Sequence, residues 1–202
     1  MVIKLIMLSG GLDSTYVLYK ALKDTKHKIW VHHIILKNDR EPRWKEELEA
    51  TKKIVEYCKK IREFSYSESE WGFYLKGCVP WDIDVITFTA AQMVPNIISH
   101  GKVILVTGRV KEDDDVRTSL NQTVYTQMLW EAATKKYQNH VEKEISKPIR
   151  HLSKKDLLKD MPQELIDMVW YCRRPVNGAP CGHCRSCRDI QKAKQELIDT
   201  RL

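Results

Sequence analysis

At 202 residues the chain has room for one domain with a small appendage, and a 43% hydrophobic and 30% charged composition describes a real core under a solvated surface. Lysine plus arginine exceeds aspartate plus glutamate by seven, a balance compatible with nucleic acid, nucleoside triphosphates or acidic metabolites. The basic residues are spread along the chain, so a surface that is merely basic accounts for them equally well. No apolar run approaches the ~20 residues of a membrane span, and residues 1–8, too short for a signal peptide, run straight into a glycine turn, so the expectation is a cytoplasmic protein.

Residues 2–8 are apolar apart from Lys4, as in a parallel strand covered on both faces. Helical spacing follows over 13–23, with Leu12, Tyr16, Tyr19 and Leu22 facing inward. A second strand is predicted over 29–36, closed by Asn38-Asp39. Pro42 then starts a long amphipathic helix with Trp44, Leu48, Ile54 and Cys58 near one stripe. Residues 62–67 form a third predicted strand and 71–80 a loop. Residues 82–98 read as an apolar helix bent or ended near Pro95. After Gly101, residues 102–106 form the fourth strand, ending in Thr107-Gly108, and a helix is expected near 121–136.

Strand and helix in strict alternation predict an α/β fold with a Rossmann-like parallel sheet. Ligands bind beyond the C-terminal strand ends of such sheets, so the turns after Leu8, Leu36 and Val106 should surround one site. From about Ile149 the chain changes to short helices, a Pro/Gly/Cys-rich knuckle and a charged helix from Ile190 onward. Two regions are therefore expected, 1–148 and 149–202.

Ser9-Gly10-Gly11-Leu12-Asp13-Ser14-Thr15 lies between the first strand and the first helix. Two glycines let backbone approach an anion, amides at the helix start can donate to phosphate oxygens, and Ser9, Ser14 and Thr15 add hydroxyls. Asp13 would repel phosphate unless a divalent cation lies between them, which implies Mg²⁺. The lysine of a Walker loop and the third glycine of a dinucleotide fingerprint are both missing.

Six cysteines are unevenly placed. Cys58 and Cys78 stand alone and read as ordinary buried thiols. Cys172, Cys181, Cys184 and Cys187 form a C-x8-C-x2-C-x2-C cluster, which in a chain without a secretion signal indicates metal binding. Four thiolates suit a structural Zn²⁺, with Gly178, Pro180 and Gly182 supplying tight turns. An iron–sulfur cluster is the competing reading. Its ferredoxin-type spacing places the remaining cysteine downstream, whereas here it lies upstream. His183 and His151 are surplus to a filled four-sulfur shell.

The glycine turn resembles the S-G-G-x-D-S signature of PP-loop ATP pyrophosphatases. The resemblance implies the PP-loop/HUP type of sheet, ATP bound by Leu8, Ser9, Gly10, Gly11, Leu12, Asp13, Ser14, Thr15, Thr107 and Gly108, and catalytic roles for Asp13 and Ser14. Joined to the cysteine knuckle, it is similar to the 7-cyano-7-deazaguanine synthase (QueC) family. Glu47-Leu48-Glu49-Ala50, Val106-Thr107-Gly108 with Glu112-Asp113-Asp114, and Ser146-Lys147-Pro148-Ile149 with Lys154-Lys155-Asp156-Leu157 resemble that family's linking segments. The chain departs from the family at Lys37-Asn38-Asp39-Arg40, at Trp81-Asp82 after Val79-Pro80, at Thr118-Ser119-Leu120-Asn121 and in its charged last helix.

That resemblance implies an ATP-dependent ligase. ATP adenylates the carboxylate of 7-carboxy-7-deazaguanine, ammonia displaces AMP, and a second ATP drives dehydration to the nitrile, in queuosine biosynthesis. It also implies a homodimer. Two alternatives stand beside it: a PP-loop enzyme modifying a base in tRNA or adenylating another acceptor, and a non-catalytic nucleotide-binding protein. No basic stripe interleaved with aromatics favours nucleic acid.

Overall fold

The structure is a computed structural model and describes residues 1–38, 41–73, 81–113 and 119–199. Of the positions read above, Asp39, Arg40, Cys78, Val79, Pro80, Asp114 and Thr118 lie outside the described residues.

Four parallel strands, β1 (Val2–Met7), β2 (Lys28–Asn38), β3 (Ser65–Phe73) and β4 (Lys102–Val106), form one sheet in the order β3-β2-β1-β4. Helices α1 (Leu12–Asp24), α2 (Trp44–Ile61), α3 (Asp82–Ile97) and α4 (Ser119–Thr134) connect and follow the strands. The C-terminal region adds α5 (Lys154–Asp160), α6 (Gln163–Met168) and α7 (Arg185–Asp199). The fold is a Rossmann-like α/β sheet with a helical extension that carries the four-cysteine group.

Alternation along β1 divides the core. Leu5 points into a cluster with Ala90 and Val94 of α3 and Trp130 of α4. Ile6 points the other way, among Val17 and Leu18 of α1, Ile54 of α2, and Leu157, Leu165 and Ile190 from the C-terminal helices. Both faces are thus covered, which is why β1 and β4 read as apolar runs. The extension is not a loose appendage: α5, α6 and α7 share one hydrophobic cluster with α1 and α2.

Three boundaries differ from the sequence expectation. The third strand starts at Ser65 and continues to Phe73, through residues assigned to a loop. It is an edge strand in which Ser65, Ser67 and Ser69 alternate with Tyr66, Glu68 and Glu70, so the apolar run being sought is absent. Its register is nonetheless continuous, from Trp30 opposite Ser65 to Asn38 opposite Phe73. The second helix begins at Trp44, two residues after Pro42, and buries Ala50, Thr51, Ile54, Val55 and Cys58; Trp44 and Leu48 are only half-buried. The last helix begins at Arg185, so Cys187 is helical. Cys58 is fully buried and burial pushes its thiol up to about 12, as suits an inert core thiol. Among the described residues, no helix is long and apolar enough to cross a membrane.

Polar bonds reinforce the β2–β3 edge. His32 is buried, with Nδ1 2.8 Å from Ser67 Oγ and Nε2 2.9 Å from Ser69 Oγ, while Trp30 Nε1 donates to Ser67 Oγ at 3.1 Å. Burial, aided by the neighbouring His33, lowers the His32 pKa from 6.5 to about 4. A depressed histidine stabilises the fold above its unfolded pKa, and that contribution is lost as pH falls through the folded value. Stability should therefore decline between pH 6.5 and about 4, by on the order of 3 kcal/mol for this group. Urea unfolding across that range should show the decline, and His32→Asn should flatten it.

Candidate nucleotide and metal sites

The β1–α1 turn emerges beside the C-terminal end of β4, where successive connections leave β1 toward opposite sides of the sheet. Backbone crowds it. Gly10 has φ +75°, and a β-carbon there would lie 2.9 Å from both the Glu47 carbonyl oxygen and Thr51 Oγ1 of α2. A β-carbon on Gly108 would lie 2.8 Å from the backbone of Asp13 and Ser14. Trp170 N–H donates to the Gly10 carbonyl at 2.8 Å. Only residues without side chains allow these approaches.

Ser14 Oγ accepts from Ser9 N–H at 3.2 Å, lies 3.1 Å from Ser9 Oγ, and donates to the Gly11 carbonyl at 3.3 Å. It braces the turn from within. Thr15 is fully buried on the inner side of α1, and its hydroxyl has no hydrogen-bond partner among the described residues. Of the predicted hydroxyl donors, Ser9 is the one that lines the adjoining cleft.

That cleft has a volume of about 880 Å³, within the roughly 300–1,000 Å³ typical of ligand sites. Leu8, Ser9, Gly11, Leu12, Asp13, Thr107 and Gly108 line it; Gly10, Ser14 and Thr15 lie behind. Residues at the C-terminal ends of β1, β2 and β4 do surround one space, since Leu36 near the end of β2 and Glu41 beyond it also line it. Lys111 is exposed outside the cleft, whereas Asp113 lines it and accepts from Val110 N–H at 3.2 Å.

Lys154 is a functional candidate that sequence reasoning left without a role. Its buried ammonium reaches both carboxylate oxygens of Asp13, at 3.1 and 3.3 Å. Burial raises the Asp13 pKa to about 6; Lys154 opposes this, while Asp113 and Glu112 add to it. Burial works against the Lys154 charge, but Asp13 and Asp113 hold its pKa above the usual value. A capping box of Ser153 and Asp156 starts α5 and fixes Lys154 in the first turn. The local signal was therefore present in Ser153-x-x-Asp156. What the sequence did not show was the partner, 141 positions away.

The opposite wall is an ion cluster that was also missed. Arg43 donates from Nε to Glu47 at 2.6 Å, from Nη2 to Asp82 at 2.5 Å, and from Nη1 to Glu41. Burial disfavours its charge, but Glu47, Asp82 and Glu41 more than compensate and hold its pKa far above normal. Arg173 adds contacts to Glu41 at 3.1 Å and Asp82 at 3.4 Å.

Cys172, Cys181, Cys184 and Cys187 come together, with all four sulfurs within 4.8 Å of one another and Cys181 Sγ 3.9 Å from Cys187 Sγ. A tetrahedral ion with Zn–S bonds of about 2.3 Å places its sulfurs about 3.8 Å apart, so four thiolates here fit one ion. In a 4Fe–4S cluster each thiolate binds a different iron and the sulfurs stand farther apart. Amides already point at the sulfurs: Cys181 N–H to Cys172 Sγ at 3.2 Å, and Cys184 N–H to Cys181 Sγ at 3.3 Å. For Cys181, burial would raise the thiol, but donors from His183 and Cys184 outweigh it and draw the group down to about 6, toward the thiolate a metal needs. His183 is exposed with Nδ1 2.8 Å from the Cys181 carbonyl, and it stands outside the ligand group.

Neither a protein-family model nor a curated protein matches the sequence. Among solved structures, the fold is similar to that of the U34-tRNA thiolase NcsA from Methanococcus maripaludis with its 4Fe–4S cluster. The TM-score is 0.50 at 16% identity, with 98% of this chain and 73% of the thiolase chain covered. At that identity the likeness bears on the fold alone.

Gly10→Ala should destabilise the protein by about 1–3 kcal/mol, because a left-handed residue acquires a side chain against α2. Urea midpoints of the two proteins measure this; an unchanged midpoint would mean that the turn does not press on α2.

Proposed function

We propose that the protein is an ATP-dependent, AMP-forming enzyme of the PP-loop type. The observation that carries this reading is the Ser9–Ser14 turn at the switch point of a parallel sheet, opening on a cleft into which Asp13 and Lys154 face. Ser9, the turn amides and the start of α1 suit a phosphate chain. Lys154 supplies a fixed positive charge beside it. Asp13 and Asp113 line the same cleft and are suited to hold Mg²⁺, which would neutralise phosphate charge.

The chemistry that fits is adenylation. An acceptor oxygen attacks the α-phosphorus of ATP, the α–β phosphoanhydride bond breaks and pyrophosphate leaves. An incoming nucleophile then expels AMP from the activated carbon. The enzyme's part is to align acceptor and α-phosphate and to stabilise the charge that develops there, with no protein nucleophile.

Two acceptors have support. A base in tRNA gains from the shared fold with a tRNA thiolase and from four arginines, Arg173, Arg174, Arg185 and Arg188, all exposed around the cysteine knuckle. The carboxylate of 7-carboxy-7-deazaguanine, with ammonia as nucleophile, rests on the paired sequence motifs and on sulfur spacing that suits one zinc ion. The fold likeness gives the tRNA acceptor the stronger support of the two.

Purified protein with ATP and Mg²⁺ should release AMP and pyrophosphate only when its acceptor is present. Supplying unmodified tRNA with a sulfur donor in one assay, and 7-carboxy-7-deazaguanine with ammonia in another, separates the acceptors. Asp13→Ala should lower turnover at least 100-fold if the carboxylate organises the phosphates. ATP binding with no α–β cleavage for any acceptor would instead indicate a non-catalytic nucleotide-binding protein.

Metal analysis tests the cysteine site separately. One zinc per chain and no iron or acid-labile sulfide is expected. Cys184→Ser should lose that metal and melt at lower temperature; iron and sulfide in the purified protein would overturn the zinc assignment.

A further inference from the structure

We infer that Arg173 and Arg185 are positioning residues that transmit closure of the cysteine group to the nucleotide cleft, so that metal and nucleotide bind cooperatively. The inference rests on the nucleotide reading of the β1–α1 turn, and concerns what regulates that site.

Each of these arginines directly follows a cysteine ligand, and each reaches a different wall of the cleft. Arg173, after Cys172, bonds to Glu41 and Asp82, the carboxylates that also hold buried Arg43. Arg185, after Cys184, donates to the Glu112 carbonyl at 3.3 Å. Glu112 Oε1 in turn accepts from Lys154 N–H at 2.8 Å, and Lys154 Nζ holds Asp13. A third tie lies just before the first ligand. Trp170 N–H holds the Gly10 carbonyl, and Trp170 Nε1 donates to the Cys172 carbonyl, both at 2.8 Å.

The segment between Cys172 and Cys187 contains no regular secondary structure before α7, only a two-residue turn at Asn177 and Gly178. Drawing four sulfurs onto one ion is what fixes the ends of this segment. With the ion gone, the two arginines lose their common anchor, and three supports of the cleft loosen together. A nucleotide that binds the closed cleft then favours the metal-loaded form, and by thermodynamic reciprocity the metal favours nucleotide binding by the same factor.

The test uses metal-loaded full-length protein. Loss of metal to a chromogenic chelator is followed with and without saturating ATP and Mg²⁺, with no acceptor present, and ATP affinity is measured by calorimetry on the loaded and stripped protein. ATP should retard metal loss about tenfold, and stripping should weaken ATP binding. The double variant Arg173→Ala/Arg185→Ala should keep its metal content, yet ATP should no longer slow metal loss. The release measurement requires no stripped protein, so it stands even if metal removal unfolds the chain. ATP binding to the loaded protein with no change in metal loss overturns the coupling and leaves the nucleotide reading intact. Full protection in the double variant overturns the role of the arginines. Absence of ATP binding by the loaded wild type overturns both readings together.

Discussion

Backbone packed against backbone around the β1–α1 turn sets the geometry on which the cleft depends. Gly10 lies against α2 and Gly108 against the Asp13–Ser14 peptide, each closer than a β-carbon permits. The Gly10 carbonyl is also held by Trp170 from the C-terminal region. The turn is thus gripped by three segments distant in sequence. A flexible glycine loop would have to be ordered by its ligand, at an entropic cost. Here the neighbours have already ordered it, and its amides and hydroxyls are set by contacts that leave the cleft side open.

Charge is arranged on that frame with opposite logic at the two ends. Lys154 sits between Asp13, Asp113 and Glu112, so acids outnumber the local ammonium, and burial together with these neighbours raises Asp13 to about 6 despite its lysine. A divalent cation would relieve that excess, which gives a physical motive for Mg²⁺ at this end. At the other end three carboxylates enclose two guanidinium groups, with buried Arg43 satisfied on three of its nitrogens. Such a network fixes the positions of the β2–α2 connection and the start of α3 relative to each other. Its worth lies more in that specificity of position than in net stability, because burying the charges offsets most of their attraction.

Much of this was legible from residue order. Apolar runs marked β1 and β4, glycines and prolines marked the turns, and the Ser9–Ser14 and Cys172–Cys187 patterns marked the two candidate sites. Edge strand β3 was misplaced because Ser67 and Ser69 are there to bond His32, and a strand stabilised by polar cross-strand contacts lacks the apolar signature. Lys154, Arg43 and Arg173 were invisible as site residues for another reason. Each looks like a solvated surface charge until the fold brings a carboxylate from far along the chain beside it. Sequence periodicity reports burial; it does not report which charges meet.

The cysteine group adjoins the cleft through the residues that flank it. Its four sulfurs are placed to hold one metal ion, and a filled four-sulfur shell would leave no open position for a substrate. A group of that kind contributes through what it anchors. Here its flanking residues are the ones that touch the glycine turn, the ion cluster and the Lys154 support. The fold is shared with a thiolase that carries a 4Fe–4S cluster, a likeness that bears on the fold and not on the use of the cysteines.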